Sequence, residues 1–369
     1  MNSDRIFVSE PLFAGNEKKY LLECVETGWV SANGRFVAEF EQRFAEFCGA
    51  EYAVSFANGT VSLHLATLMS DVGDGDEVIM PTLTYIATAN AVRYCGGKPV
   101  FVDSDPVTWN IDASQIEKKI TSRTKAIMPV HLYGCPCDMK KINEIAQKYG
   151  LIVIEDAAEA HGASFSGQKV GTLSKVGSFS FFGNKIMTSG EGGMLVTDDL
   201  ALYEKIKLYK SQGMDPSRRY WHTVVGYNYR MTNMQAAIGL AQLEQVDDRI
   251  ADRRRIRRLY EKYLGHLRDA IQFQGEQNGA ESVYWMTTIV LTENAKASRA
   301  EVMQRMEEAN IETRPIFYPM HIMPPYFEAD GHYPVAEYSG ERGICLPSHS
   351  RLTEEMISYV AGVVSKAIR

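Results

Sequence analysis

Lys185 stands in the stretch SFSFFGNKIMTSGEGGM (178–194), where an aromatic, strand-like run meets a glycine-rich patch that carries hydroxyl residues and a glutamate. A lysine held by aromatic and small side chains is partly desolvated. Desolvation favours its neutral form, and a neutral amine is a nucleophile that forms Schiff bases with aldehydes. Upstream, LIVIEDAAEAHG (151–162) sets Glu155, Asp156, Glu159 and His161 just past an apolar run. Taken singly, each of these charges reads as an ordinary surface ion pair near a turn. Together they suggest covalent chemistry at an aldehyde.

Pyridoxal phosphate is a cofactor that presents such an aldehyde, and it makes three further demands: an acid beside the pyridine nitrogen, an aromatic on the ring, and donors around the phosphate. Each has a candidate. Asp156 sits at a strand end where its carboxylate can hold the pyridinium that makes the ring an electron sink. Asn58-Gly59-Thr60 leads straight into a helix beginning near Val61, whose free N–H groups and dipole suit a dianion. Ser180 adds a hydroxyl from the same strand that presents Lys185, and Tyr85 in PTLTYIATAN (81–90) offers the ring.

The elements that must position these residues alternate along the chain. Short apolar runs, EVIMP (77–81), PVFVD (99–103), AIMPVHLYG (126–134) and LIVIED (151–156), have the character of strands buried on both faces. Helices are expected between them, at 35–47, at 61–70 and where Ile142, Ile145, Ala146 and Tyr149 recur with helical period before Gly150. This is an open, doubly wound α/β pattern, whose ligands bind beyond the carboxyl ends of the strands. Further on, Thr232-x-x-Gln235 is a capping box that opens a helix read as continuous to Gly265, with DRRRIRR (252–258) as its solvated face. A strand at 284–291, a helix capped by Ser298-x-x-Glu301 and a strand at 311–315 then predict a small α+β domain. The expected division is 1–250 for the large domain and 251–369 for the small one.

Composition narrows the class. The 369 residues are 45% hydrophobic and 23% charged with a net charge of -7, as expected of an ordinary globular chain and not of a nucleic-acid-binding face. The six cysteines are too few for a disulfide scaffold, and Cys135-Pro-Cys137 lacks zinc-ligand spacing, so no metal is expected. Neither a signal peptide nor a membrane span is legible, which makes the cytoplasm the expected compartment and leaves no membrane partner.

The set NGT (58–60), PTLTYIATANA (81–91), IEDAAEAHG (154–162), GSFSFFGNKIMTSGEGGMLVTDD (177–199) and YNYRMTNMQAAIG (227–239) resembles the DegT/StrS family of nucleotide-sugar aminotransferases, in order and over nearly the whole chain. GWVSANG (28–34), FFGNK (181–185), RYWH (219–222) and FYPMH (317–321) resemble, more narrowly, members that aminate GDP-4-keto-6-deoxymannose at C4.

The resemblance implies an aspartate-aminotransferase-type fold (fold type I), with a mostly parallel sheet in the large domain. It implies pyridoxal phosphate, alternating with pyridoxamine phosphate, as cofactor, and L-glutamate and a nucleotide sugar as substrates. Lys185 matches the lysine that bonds the cofactor and moves protons, Asp156 the pyridinium partner and Tyr85 the stacking aromatic. Gly59, Thr60 and Ser180 match the phosphate binders. Glu159 matches a position near the ring oxygen that is often glutamine in relatives, so a glutamate there needs a proton or a cationic neighbour. Asn228 matches an asparagine that reaches the neighbouring subunit's phosphate, which implies a homodimer with shared sites and leaves a tetramer open. Arg219, Tyr220, Trp221, Phe317, Tyr318 and His321 are expected near the nucleotide. The alternatives are a dTDP- or UDP-linked 3- or 4-keto sugar as substrate, a sugar 3-dehydratase, in which histidine replaces the lysine, a regulator on the same fold, or a nicotinamide oxidoreductase, for which no GxGxxG follows the first strand.

Overall fold

The computed structural model describes residues 5–369. Its strands are β1 (Tyr52–Phe56), β2 (Glu77–Pro81), β3 (Lys98–Val102), β4 (Thr124–Ile127), β5 (Ile152–Asp156), the short β6 (Ser164–Phe165) and β7 (Gln168–Lys169), β8 (Val176–Ser180), β9 (Gly193–Thr197), β10 (Ile271–Phe273), β11 (Ala280–Glu281), β12 (Thr287–Leu291), β13 (Arg314–Pro315) and β14 (Gly343–Leu346). The helices are α1 (Glu17–Thr27), α2 (Arg35–Cys48), α3 (Gly59–Met69), α4 (Ala87–Tyr94), α5 (Ala113–Ile116), α6 (Met139–Tyr149), α7 (Leu200–Lys210), α8 (Asn233–Leu243), α9 (Val246–Leu264), α10 (Arg299–Glu308), α11 (Pro334–Arg342) and α12 (Glu354–Ile368).

Seven strands form the main sheet in the order β1-β9-β8-β5-β4-β2-β3. From β8 to β3 every pairing is parallel, while β9 runs antiparallel to both β8 and β1. The carboxyl ends of β1, β2, β5 and β8 therefore lie along one edge, and the loops bearing Asn58, Tyr85, Asp156 and Lys185 start there. A second sheet, β10-β12-β14-β13, is wholly antiparallel and belongs to the C-terminal part.

Packing fixes the strand that matters most. In α2 the fully buried Phe36, Phe40 and Phe44 recur at i, i+4 and i+8, a stripe that must face the core. Phe44 meets Phe179 at 5.0 Å and Phe181 at 5.3 Å between ring centroids. Strand alternation then turns Ser178 and Ser180 to the opposite face, where Ser178 Oγ lies 2.7 Å from Ser62 Oγ of α3.

Several sequence expectations change here. The run read as a strand over 126–134 stops at Ile127, because Pro129 and a turn at 132–134, with Tyr133 at φ 54°, redirect the chain over the end of β5. The strand expected over 311–315 reduces to its last two residues. The helix read as continuous from Thr232 is two helices, broken at Glu244–Gln245, where the Gln245 N–H turns back to the Gln242 carbonyl. Its basic stretch is not a free solvated face: Arg253 and Arg257 are buried, and Arg257 covers Phe273 and Tyr284 while its Nη2 donates to the Gln274 carbonyl.

Both capping boxes, Thr232 with Gln235 and Ser298 with Glu301, form as read. Ile250 packs in the core beneath the main sheet and Ile256, Tyr260 and Leu264 pack in the C-terminal core. We accordingly propose that the two domains divide within α9. Phe44→Ala, which empties the contact between α2 and β8, should lower stability by about 3–5 kcal/mol in denaturant unfolding.

Candidate active site

The loops at the sheet's carboxyl edge enclose a cavity of about 540 Å³, and Gly59, Thr60, Tyr85, Asp156, Glu159, Ser180 and Lys185 all line it. At one end, α3 begins. Asn58 caps it by accepting the Val61 N–H at 3.0 Å, which leaves the N–H groups of Gly59 and Thr60 in the first turn without a helical acceptor. A Cβ on Gly59 would lie 2.8 Å from Ser180 Cβ and 3.1 Å from its Oγ, so only glycine lets the helix start meet the Ser180 hydroxyl. Backbone donors, a hydroxyl and a helix N-terminus thus converge as an anion cradle.

Across the cavity Asp156 is buried, and it is held by two donors. Thr88 Oγ1 donates to its Oδ2 at 2.8 Å and the Ala158 N–H to its Oδ1 at 3.2 Å. Burial pushes its pKa up, opposed by these hydrogen bonds and by the positive charge of Lys185. Glu159 is equally buried. Its Oε2 accepts the Tyr133 N–H at 2.7 Å, and its Oε1 lies 3.7 Å from Lys185 Nζ. Desolvation raises it to about 7 against the pull of Lys185. The cationic neighbour foreseen for a glutamate at this position is therefore present in Lys185, and burial shifts the group towards its protonated form.

Lys185 is largely covered, its side chain 11% exposed, and it faces Glu159. Its pKa is lowered, chiefly by burial and against the attraction of Glu159 and Asp156. Nζ sits 3.9 Å from the ring centroid of Trp285, whose Nε1 donates to the Asn184 carbonyl at 2.7 Å. Tyr133 stacks between Trp285 and Phe317, and Phe317 in turn leans on Tyr85 at 5.7 Å. The result is a desolvated amine, two buried acids and an anion cradle facing one space under an aromatic wall.

A family model described as the DegT/DnrJ/EryC1/StrS aminotransferase family matches residues 12–365. The chain belongs to this aminotransferase family. It is 51% identical to a GDP-perosamine synthase of Caulobacter vibrioides, over 99% of this chain and 98% of that one. It is 49% identical to a GDP-perosamine synthase of Escherichia coli O157:H7, over 97% of each. Among solved structures, 3-amino-5-hydroxybenzoic acid synthase superposes with a TM-score of 0.91 at 30% identity over 98% of both chains.

The aminotransferase does not bring every expected residue to the cavity. Phe317 reaches its wall, but Arg219, Tyr220 and Trp221 stand on an exposed loop, with Arg219 over the Tyr220 ring and the adjacent Arg218 over the Trp221 ring. Tyr318 is at the surface against Arg299. His321 is buried as a packing residue, with Nδ1 2.8 Å from Thr82 Oγ1 and Nε2 3.1 Å from Glu337. Asn228 is exposed, with its Oδ1 accepting Arg230 Nε at 3.2 Å, and lies outside the single chain's cavity.

The sequence alone does not single out Thr88, Tyr133 and Trp285. Thr88 lies in PTLTYIATANA, three residues past Tyr85 in the first turn of α4, and that spacing is the signal that points to it. Gly59→Ala, whose Cβ would push the start of α3 away from Ser180, should weaken binding of pyridoxal phosphate about tenfold or more by isothermal titration and lower the unfolding midpoint as well. A carboxyl raised from 4.5 to about 7 stabilises the fold below its unfolded pKa, and loses that contribution as pH rises through about 7. The cofactor-free protein should therefore lose stability between pH 4.5 and 7, and Glu159→Gln should flatten that slope in thermal melts.

Proposed function

We propose that the enzyme binds pyridoxal phosphate at this cavity and transfers the amino group of L-glutamate to C4 of GDP-4-keto-6-deoxymannose, giving 2-oxoglutarate and GDP-perosamine, an amino sugar of the kind built into O-antigen and other surface polysaccharides. The observation that carries the chemistry is Lys185 Nζ, desolvated and facing the same cavity as Asp156 and the α3 N-terminus. The residues fit the cofactor. The Gly59 and Thr60 N–H groups and the Ser180 hydroxyl would hold the phosphate, Asp156 the ring nitrogen, Lys185 the aldehyde and Tyr85 a ring face. The perosamine synthases at 51% and 49% identity support the sugar and the carbon.

When bound, the cofactor's aldehyde joins amines and its protonated ring draws electrons from the adjoining carbon. The chain's own groups do the rest. Lys185, its amine kept reactive by burial, would hold the cofactor's aldehyde end and, once released, would take up and give back a proton at Nζ in both half-reactions. Thr88 and the Ala158 N–H orient Asp156, which would hold the ring nitrogen. Trp285, Tyr133 and Phe317 exclude water from one side of the amine.

A lysine at 185 also weighs against the dehydratase reading, since that chemistry requires a residue there that cannot bond the aldehyde. The exposure of Asn228 outside its own cavity supports a homodimer in which it serves the neighbour's phosphate. No described helix is long and apolar enough to cross a membrane, and no described His, Cys, Asp or Glu cluster could hold a metal. We place the enzyme in the cytoplasm, where its nucleotide-sugar and glutamate substrates would be found.

Lys185→Ala should abolish the visible band of the loaded protein and slow amination about 10⁴-fold. Incubated with glutamate and a panel of keto sugars, the wild type should yield a 4-amino GDP sugar by mass and NMR. Turnover of a dTDP sugar alone would overturn the substrate. Mixed Lys185→Ala and Asn228→Ala subunits should recover part of the activity. No recovery from subunits shown to exchange would overturn the shared site.

A further inference from the structure

A lysine amine sits at the end of a flexible stem, so it is aimed at one carbon only where both its root and its tip are held. One residue of the cavity wall touches both ends of Lys185. Trp285 Nε1 donates at 2.7 Å to the Asn184 carbonyl, which belongs to the peptide group leading into Lys185, and Ser9 Oγ donates to the same oxygen at 3.2 Å. At the tip, Nζ stands 3.9 Å from the centroid of the same indole ring. Glu159 Oε1, at 3.7 Å, is beyond hydrogen-bond length, so the ring face is what the amine rests on.

We propose that Trp285 is the positioning residue of Lys185: its N–H fixes the main chain from which the lysine leaves, and its ring face fixes where the free amine waits. The indole takes no proton and forms no bond; it acts only through the lysine. The inference rests on the reading that Lys185 captures the aldehyde of pyridoxal phosphate.

The platform is itself rigid. Trp285 is 4% exposed, its backbone N–H donates to the Tyr133 carbonyl at 2.9 Å, and the Val283 N–H donates to the Gly134 carbonyl at 3.1 Å, which fastens 283–285 onto the turn at 132–134. The Tyr133 ring stacks on the indole at 6.0 Å with 17° between the planes, and Phe317 backs Tyr133 at 5.3 Å. Such a surface serves both forms of the lysine. Its face attracts the ammonium. Its one side-chain donor, Nε1–H, is engaged by the Asn184 carbonyl, so it does not occupy the lone pair of the neutral amine.

Both contacts can be read before any turnover. In NMR spectra of the cofactor-free protein, the Lys185 ε-methylene protons, assigned by their loss in Lys185→Arg, should lie upfield of those of the other lysines because the indole ring shields them. Trp285→Leu should abolish that shift and Trp285→Phe should keep part of it. Capture of pyridoxal phosphate, followed by growth of the visible band, should be about tenfold slower in Trp285→Phe, which keeps a ring face and loses the N–H. It should be about 100-fold slower in Trp285→Leu, which loses both contacts. Both variants should bind pyridoxamine phosphate, which needs no covalent bond to the lysine, with near wild-type affinity. Capture by Trp285→Leu at the wild-type rate, or a loss of pyridoxamine phosphate affinity as large as the loss of capture rate, overturns the proposal. So does a wild-type Lys185 signal that falls among those of the other lysines, whether or not the variants fold. A visible band that persists in Lys185→Ala refutes the reading of Lys185 as the aldehyde's partner, while the proton shift, read without cofactor, still decides whether Trp285 holds the amine.

Discussion

An ammonium group taken out of water beside two carboxylates is the constraint around which the active site is organised. Burial alone drives Lys185 towards the neutral amine that the chemistry needs, while Glu159 and Asp156 pull it back towards the charged form. Burial wins, though only in part. The balance leaves a lysine that is reactive yet still held in place. Neither acid could be removed without cost, because the buried charge left behind would lose a partner.

The fold delivers this balance through close backbone approaches. Phe44 and its neighbours clamp one face of β8, which fixes the direction in which Ser180 and the following Lys185 leave the strand. Gly59 then allows α3 to begin against Ser180, so the anion cradle and the amine are set by one strand. On the other side, the turn at 132–134 brings the Tyr133 N–H onto Glu159 and its ring between Trp285 and Phe317. A strained residue in the left-handed region performs both tasks, consistent with strain being kept where position matters.

Much of this was legible in the sequence, for physical reasons that differ by element. The parallel strands announce themselves as short apolar runs because both of their faces are buried. The helix starts at Thr232 and Ser298 are written in reciprocal side-chain bonds. Lys185, Asp156, Gly59 and Ser180 could be read as a set because each meets a separate demand of one cofactor. What stayed hidden depends on contacts distant in the chain. Trp285 lies 100 residues from Lys185, in the bend just before β12, and nothing local distinguishes it from a core aromatic. The break after α8 has neither glycine nor proline to mark it, so the helical pattern runs through it. The buried arginines of α9 look like any basic helix face until Phe273 and Tyr284 are brought over them. The exposed loop at 219–221 and the surface position of Asn228 leave those residues with no task inside a single chain.

The central claim is that desolvation holds Lys185 below the ordinary lysine range despite two neighbouring acids. The most direct measurement is an NMR titration of the cofactor-free protein carrying isotope-labelled lysine side chains, with the Lys185 signal assigned by its loss in Lys185→Arg. This Nζ should ionise below 10.5, the ordinary value. A Lys185 that titrates at or above 10.5 would contradict it.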